Sequence, residues 1–138
     1  MKMKGVLLYN IPKDKLKRIR VLLVRMGLEG RTVKPEEYSL PVGALAGQTE
    51  PAAPLVPEAE ALGFTDEMLV LCGLSSPQLS AFLDALRQNR CGVALKAVLT
   101  ETNAAWSSLA LHRELLAERA ALEKARGGAG GKSVHRPS

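Results

Sequence analysis

The chain of 138 residues has few aromatic side chains: Phe, Tyr and Trp together make up 4% of the sequence, with a single Trp. Apolar content is ordinary at 46%, so the core must come mainly from Leu, Val and Ala, and a chain of this length can bury one without cross-links. No apolar run approaches the roughly 18 residues of a membrane-spanning helix. The run after the basic N-terminus has only about six residues, so we expect neither a membrane span nor export.

The sequence also has only two cysteines and two histidines. Cys72 and Cys91 are too far apart for a C-x-x-C pair, and the two Cys and two His together give no metal-ligand spacing. Cys72 lies in an apolar pattern that is typical of a buried strand. We therefore expect reduced thiols, with Cys72 buried, in a cytoplasmic protein without a metal site or a cofactor.

The net charge of +5 is unevenly distributed along the chain. Residues 1–38 contain ten Lys or Arg against four acids, whereas residues 39–67 contain five acids and no base. A basic N-terminal part can attract nucleic acid, but an acidic connector can also fold back over that part and neutralise it. Charge alone leaves both interpretations open.

Two stretches of the chain repeat one strand–helix–strand pattern. The first has an apolar strand over 6–11 and a polar strand over 31–38, and the second has strands over 68–74 and 93–100, each pair separated by an amphipathic helix. A shift of 63 positions aligns the apolar residues of the two stretches. The aligned pairs are Ile11 with Leu74, Leu16 with Leu79, Ile19 with Phe82, and Leu23 with Leu86.

This duplication predicts an α+β fold, a ferredoxin-like βαββαβ sandwich with two helices on one face of a four-stranded antiparallel sheet. A final helix is predicted from residue 104 to residue 126. A doubly wound parallel sheet is the alternative, disfavoured because four strands are few and the second strand has a polar pattern. We expect one domain over 1–126, a Pro- and Ala-rich acidic insertion or lid over 39–67 with a short turn near 42–45, and a disordered tail over 127–138.

The segment KAVLTETNAAW, residues 96–106, has the most site-like composition. It places Lys96, Thr100, Asn103 and Trp106 where the last strand turns into the final helix. The α-carbons of Lys96 and Thr100 would be about 13 Å apart along a strand, too far for a lysine to activate the hydroxyl. Asn103 is instead predicted to be the N-cap of the final helix, and a small anion held by the helix-start N–H groups beside Lys96 is the minority interpretation.

Side chains alternate along this last strand. Val93, Leu95, Ala97 and Leu99 are expected to face the helices. The opposite face, which bears Val98, is expected to be covered by Trp106.

The first helix carries a run of basic residues, KDKLKRIR. Lys13, Lys17 and Arg20 lie along one flank at helical spacing. A solvated helix face explains such a run, and an RNA contact is the functional alternative. Aromatic residues on the sheet face, which RNA-recognition modules of the ferredoxin-like fold use, are scarce here.

Three segments of the chain, EEYSLPVGALAG (36–47), MLVLCGL (68–74) and VALKAVLTETNAAWSSLALHREL (93–115), resemble domain-of-unknown-function family 3783. The resemblance implies a small bacterial, mainly clostridial, cytoplasmic protein of a family without an established activity. It also implies that Lys96, Thr100, Asn103 and Trp106 belong to the common pattern of the domain. A strand-to-helix corner accounts for Asn103 and Trp106 but not for Lys96.

These observations favour a non-catalytic binding or regulatory module, for which a homodimer through edge strands or a sheet face is compatible with the fold. The first alternative is a protein that associates weakly with RNA or the ribosome through the basic first helix. The second is a small-anion-binding enzyme at the corner between Lys96 and Asn103. The sequence indicates no catalytic residue, and it leaves any small-molecule ligand unidentified.

Overall fold

The structure, a computed structural model, describes residues 3–47, 54–55 and 63–128, with side chains as far as Ala125. Within these ranges lie four strands and four α-helices, joined by two short 3-10 turns. The strands are β1 (Gly5–Tyr9), β2 (Glu29–Thr32), β3 (Met68–Cys72) and β4 (Leu95–Val98). The helices are α1 (Lys13–Arg25), α2 (Val42–Leu45), α3 (Ser76–Gln88) and α4 (Ser108–Gly128), and the 3-10 turns are Pro35–Glu37 and Asn103–Ala105.

The four strands form one mixed sheet in the order β2-β1-β3-β4. β1 pairs in parallel with β2, and β3 in parallel with β4, while β1 and β3 pair antiparallel at the centre. The α+β class is therefore confirmed, but the ferredoxin-like order and the all-antiparallel sheet are wrong.

The ferredoxin-like sheet and the observed sheet differ in the partner of each edge strand, and the apolar pattern of a strand does not encode its partner. In a ferredoxin-like sheet each edge strand pairs with the central strand of the other βαβ unit, and here it pairs with the central strand of its own unit. In both arrangements β1 and β3 are central and buried, while β2 and β4 lie at the edges. The burial pattern along the sequence is therefore the same for both.

The duplication predicted from the sequence is present in the structure. β1 and α1 recur 63 positions later as β3 and α3, with the same lengths. Even the left-handed backbone positions recur: Asn10 (φ 56°) corresponds to Gly73 (φ 70°), and Gly27 (φ 69°) to Arg90 (φ 56°). Each pair ends the first strand or the helix of its unit, where a reversal of chain direction needs positive φ.

The sheet separates two apolar clusters. On one face, α1 and α3 pack on alternate residues of the central strands, including Val6, Leu8, Leu69 and Leu71. The other face bears Leu7, Tyr9, Met68, Val70 and Cys72, covered by α2, by residues that flank the 3-10 turns and by the first turns of α4. Both cysteines are free thiols and buried, as expected for Cys72.

The sides predicted for β4 are exchanged in the structure, although Val93, which precedes the strand, lies in the cluster of α1 and α3 as predicted. Leu95, Ala97 and Leu99 pack in the cluster that contains Trp106, on the face opposite α1 and α3. Lys96 aligns with Leu69 of β3 and so lies on the face of α1 and α3. Because β4 is an edge strand beyond these helices, Lys96 and Val98 are exposed.

The first part of the predicted insertion belongs to the core. Val42, Leu45 and Ala46 are buried, and α2 occupies the position predicted for a short turn. Residues 48–53, 56–62 and 129–138 lie outside the described residues, so the lid and the disordered tail stay predictions for those parts.

Candidate functional site

The predicted corner after β4 is closed by a reciprocal pair of side chains. The Asn103 Oδ1 accepts a hydrogen bond from the Thr100 backbone N–H at 2.8 Å, and the Thr100 Oγ1 accepts one from the Asn103 backbone N–H at 3.1 Å. The Asn103 Nδ2 also donates to the Val98 carbonyl at 3.0 Å. The Asn103 carboxamide therefore stands where a neighbouring strand would pair with β4, and it covers the C-terminal part of that sheet edge.

The sequence predicted Asn103 as the N-cap of the final helix, and this prediction is wrong. A 3-10 turn follows it, and α4 begins only at Ser108. The cap is the Ser107 hydroxyl, which accepts a hydrogen bond from the Ala110 N–H at 3.1 Å. Both residues are good cap types, and the composition of the segment did not indicate that the chain makes an extra turn between them.

Lys96 lies on the exposed edge of the sheet, and its ammonium group donates a hydrogen bond to the Val93 carbonyl. Partial burial lowers the pKa of this ammonium group from its usual value, and the nearby charge of Arg119 lowers the pKa further. A lysine on an edge strand also discourages pairing with another sheet, which gives Lys96 a structural role that the sequence did not suggest.

All four predicted ligand-binding residues line one groove of about 340 Å³ between β4 and α4. Lys96 and Thr100 come from the strand side, and Asn103 and Trp106 from the corner. α4 contributes two apolar and two acidic side chains, which are Leu111, Leu115, Glu114 and Glu118. The residues that line the groove therefore include one lysine, two glutamates and several apolar residues.

The predicted RNA-contact residues lie together on α1. The side chains of Lys13, Lys17 and Arg20 are all exposed, and the Arg20 guanidinium donates to the Thr32 Oγ1 at 2.9 Å. α3 packs beside α1 and ends near Arg87 and Arg90. The two helices and the turn after α3 (13–25 and 76–90) carry eight bases and two acids.

An aromatic cluster that sequence reasoning missed joins β1 to the segment before β3. Phe64 stacks on Tyr38 at a centroid distance of 4.6 Å and on His112 at 3.9 Å. The His112 Nε2 lies 2.8 Å from the Asp66 Oδ2. The side chain of Asn10 donates to the Phe64 carbonyl at 2.9 Å.

At the buried end of this cluster, the Tyr9 hydroxyl and the Ser108 hydroxyl are 2.7 Å apart. Burial raises the pKa of the Tyr9 phenol well above its usual value, and the hydrogen bond with Ser108 partly offsets this shift. Both residues are completely buried, so the pair fixes α4 to β1 and is not open to a ligand. Each of these contacts joins residues far apart in the chain, so no local spacing could have revealed them.

Residues 3–47, 54–55 and 63–128 contain no group of three or more His, Cys, Asp or Glu side chains that could hold a metal ion. None of the helices within those same ranges is long and apolar enough to cross a membrane. The cytoplasmic location stays a prediction.

Comparison with protein families confirms the resemblance for the second half of the chain. Residues 67–122 match the family described as Domain of unknown function (DUF3783), which supports the resemblance over this segment. The match contains β3, α3, β4, the corner and most of α4, and therefore the whole groove. No curated protein and no solved structure matched the chain.

Proposed function

We propose that the protein is a non-catalytic binding module whose ligand occupies the groove between β4 and α4. The observation that supports this function is that Lys96, Thr100, Asn103 and Trp106 line one groove. A small ligand with both an anionic and a cationic group, such as an amino acid or a short peptide, would match its charges. The anionic group would bind Lys96, the cationic group would bind Glu114 or Glu118, and apolar parts would contact Trp106 and the leucines.

A binding role is better supported than the anion-binding enzyme at the same corner. The amide of Asn103 is already engaged by the backbone of Thr100 and Val98, and the helix start is capped by Ser107. The ammonium group of Lys96 donates to a carbonyl, which offers no general acid–base partner. The groove is therefore a preformed surface with its polar groups held in place.

A thermal-shift screen of amino acids and dipeptides tests this function. A ligand present at 100 times its dissociation constant should raise the free energy of unfolding by about 2.7 kcal/mol. Lys96→Ala should abolish that gain while keeping the melting temperature of the ligand-free protein, because an exposed lysine contributes little to the fold. Lys4→Ala is the control, since Lys4 is also exposed but does not line the groove.

Two results would contradict the groove as a ligand site. One is a screen in which no compound stabilises the parent protein. The other is a stabilising compound whose effect is the same in Lys96→Ala as in the parent.

RNA or ribosome association through α1 is the second candidate function. The excess of bases on 13–25 and 76–90 supports it. Binding of a fluorescent single-stranded RNA should weaken steeply with salt, with a log–log slope of about −2 if three phosphates are contacted. The triple variant Lys13→Glu, Lys17→Glu and Arg20→Glu should remove the binding.

A matched control for the RNA experiment is available on α4. Arg113→Glu, Arg119→Glu and Lys124→Glu change the net charge by the same amount at exposed positions away from α1. If both triple variants weaken binding equally, the effect comes from net charge alone and α1 is not the RNA surface. Absence of RNA binding at low salt would also exclude RNA association through α1.

The homodimer stays a prediction. Among the described residues no strand pairs with the outer edge of β4, so a second copy could add there. The Asn103 carboxamide covers part of that edge, and Lys96 places a charge beside it. Both features oppose the addition of a second copy at this edge.

A further inference from the structure

The outer edge of β4 forms one wall of the groove between β4 and α4. Lys96, Ala97 and Val98 are consecutive in the strand, and all three line the groove. Because side chains alternate across a strand, three consecutive residues do not present three side chains to one face. What they share on this side is the backbone of the strand edge. The groove is therefore open to the main chain of β4 as well as to side chains.

The register of the β3–β4 pair determines which backbone groups of β4 point away from the sheet. Leu71 is opposite Val98 in this parallel pair, and the Leu99 N–H donates to the Leu71 carbonyl at 2.9 Å. In a parallel ladder the N–H and C=O of one residue point to the same side, and those of the next residue point to the opposite side. The backbone groups of Ala97 and Leu99 therefore face β3, and those of Lys96 and Val98 face outward.

One of these outward groups is already bonded. The Val98 carbonyl accepts a hydrogen bond from the Asn103 Nδ2 at 3.0 Å. Among the described residues no strand pairs with this edge, and no bond is formed to the Lys96 N–H, the Lys96 carbonyl or the Val98 N–H. The edge of β4 thus offers two donors and one acceptor, and the Asn103 carboxamide blocks it at Val98.

This pattern of donors and acceptor suits the main chain of a short extended peptide. Such a peptide can add to a free sheet edge, where hydrogen bonds between main chains supply the affinity. The free groups of β4 would bond to the carbonyl of one peptide residue and to both the N–H and the carbonyl of the residue two positions later. The same three peptide groups are used in a parallel and in an antiparallel arrangement.

The length of the ligand is limited on both counts of geometry and volume. In either direction the next peptide N–H would have to bond the Val98 carbonyl, which Asn103 already occupies. The volume of the groove, about 340 Å³, is at the lower end of the range for small-molecule sites. The lining residues Lys96, Glu114 and Glu118 match the charged termini of a free peptide. A tripeptide supplies all three bonding groups without extending past Asn103.

We infer that the ligand of the groove is a tripeptide with free termini that adds to β4 as a fifth strand. The N–H of its third residue donates to the Lys96 carbonyl, and the carbonyl oxygens of its first and third residues accept from the Lys96 and Val98 N–H groups. This inference rests on the proposed function and specifies its ligand class. Because the bonds are made by main chains, binding should tolerate many side chains at the central residue of the peptide.

Isothermal titration calorimetry of the full chain tests the inference with the peptides Ala-Xaa-Ala, in which Xaa is Ala, Leu, Phe, Lys or Glu. Each tripeptide should bind at least about tenfold more tightly than the free amino acid Xaa. N-methylation of the third residue of the tightest tripeptide should weaken binding by at least about tenfold, because it removes the N–H that bonds the Lys96 carbonyl. N-methylation of the second residue is the matched control, since that amide points away from β4 and its loss should leave the affinity nearly unchanged.

Val98→Pro is the corresponding change in the protein. It removes an outward N–H and no bond between β4 and β3, and proline is accepted on an edge strand in this position. The variant should bind the tightest tripeptide at least about tenfold more weakly than the parent. Its melting temperature shows whether it is folded, and if it is not, the two N-methylated peptides test the same bonds on the parent protein.

Three results would each overturn the inference: no binding by any of the tripeptides, equal effects of the two methylations, or an unchanged dissociation constant in folded Val98→Pro. The proposed function survives these results if an amino acid or dipeptide stabilises the parent and loses its effect in Lys96→Ala. Only the absence of binding by every compound removes the inference and the proposed function together.

Discussion

Between pH 9 and pH 12 we expect the free energy of unfolding to fall by on the order of 4 kcal/mol through Cys72 alone. Burial raises the pKa of this thiol from its ordinary value of 9.0 to about 12 in the folded protein. The unfolded chain therefore releases the proton at lower pH than the folded chain. The contribution of the protonated thiol to the free energy of unfolding is fully present below pH 9 and is lost progressively as the pH rises toward 12.

Tyr9 acts in the same direction at higher pH, because burial raises the pKa of its phenol from an ordinary value of 10.0. A domain of this size has a total stability of about 5–15 kcal/mol, so the two groups together should unfold it in alkali. Urea denaturation at a series of pH values, with reductant present, measures how the free energy of unfolding changes with pH.

The control for the alkaline effect is Cys72→Ala. This variant loses stability at every pH because it leaves a cavity, but its free energy of unfolding should fall less steeply between pH 10 and pH 11. The difference in slope should be about 1.4 kcal/mol per pH unit, the value for one proton. Parallel profiles for the parent and Cys72→Ala would show that the thiol is not the titrating group.

Gly5→Ala should destabilise the fold by about 3 kcal/mol or more, because overpacking against rigid backbone cannot relax. A Cβ atom at Gly5 would lie 2.0 Å from the backbone oxygen of Glu29, in the parallel pair of β1 and β2. Neither atom belongs to a flexible side chain, so one strand would have to move. Thermal and urea unfolding measure the loss.

Gly92→Ala is the matched control for Gly5→Ala. A Cβ atom at Gly92 meets no atom within 4 Å, and the backbone there does not require glycine. The change should lie between no effect and a gain of about 1 kcal/mol, since alanine reduces the freedom of the unfolded chain. If both variants lose equal stability, the close approach of β2 to Gly5 is not the reason that alanine is unfavourable at position 5.

The internal repeat could be predicted from the sequence because it is a local property. The spacing of apolar residues is set by the helix and strand periods, and it fixed β1, α1, β3 and α3 with the correct shift. The pairing of strands is a long-range property. Whether β2 lies beside β1 or beside β3 changes neither the apolar spacing nor the edge position of β2, so the sheet order had to come from the structure.

The candidate site was predicted in its residue types but not in its geometry. Lys96, Thr100, Asn103 and Trp106 lie close together in sequence, so their meeting in one groove follows from a short corner. Trp106 packs on the face opposite α1 and α3, as predicted, but the β4 residues on that face are Leu95 and Ala97, because the phase of the strand is the reverse of the predicted one. The acidic side of the groove comes from α4 residues whose orientation is set by the buried contact between Tyr9 and Ser108.

The antiparallel pair at the centre of the sheet has a consequence for how fast the chain folds. Each βαβ unit can form from neighbouring residues, but Gly5 meets Cys72 only after the long segment between β1 and β3 has closed. Pairings between residues so distant in sequence slow folding. The entropic cost of closing such a loop rises only by about 0.6 kcal/mol for each doubling of its length. Insertions between residues 47 and 63 should therefore slow the joining of the two halves while leaving the joined protein almost as stable.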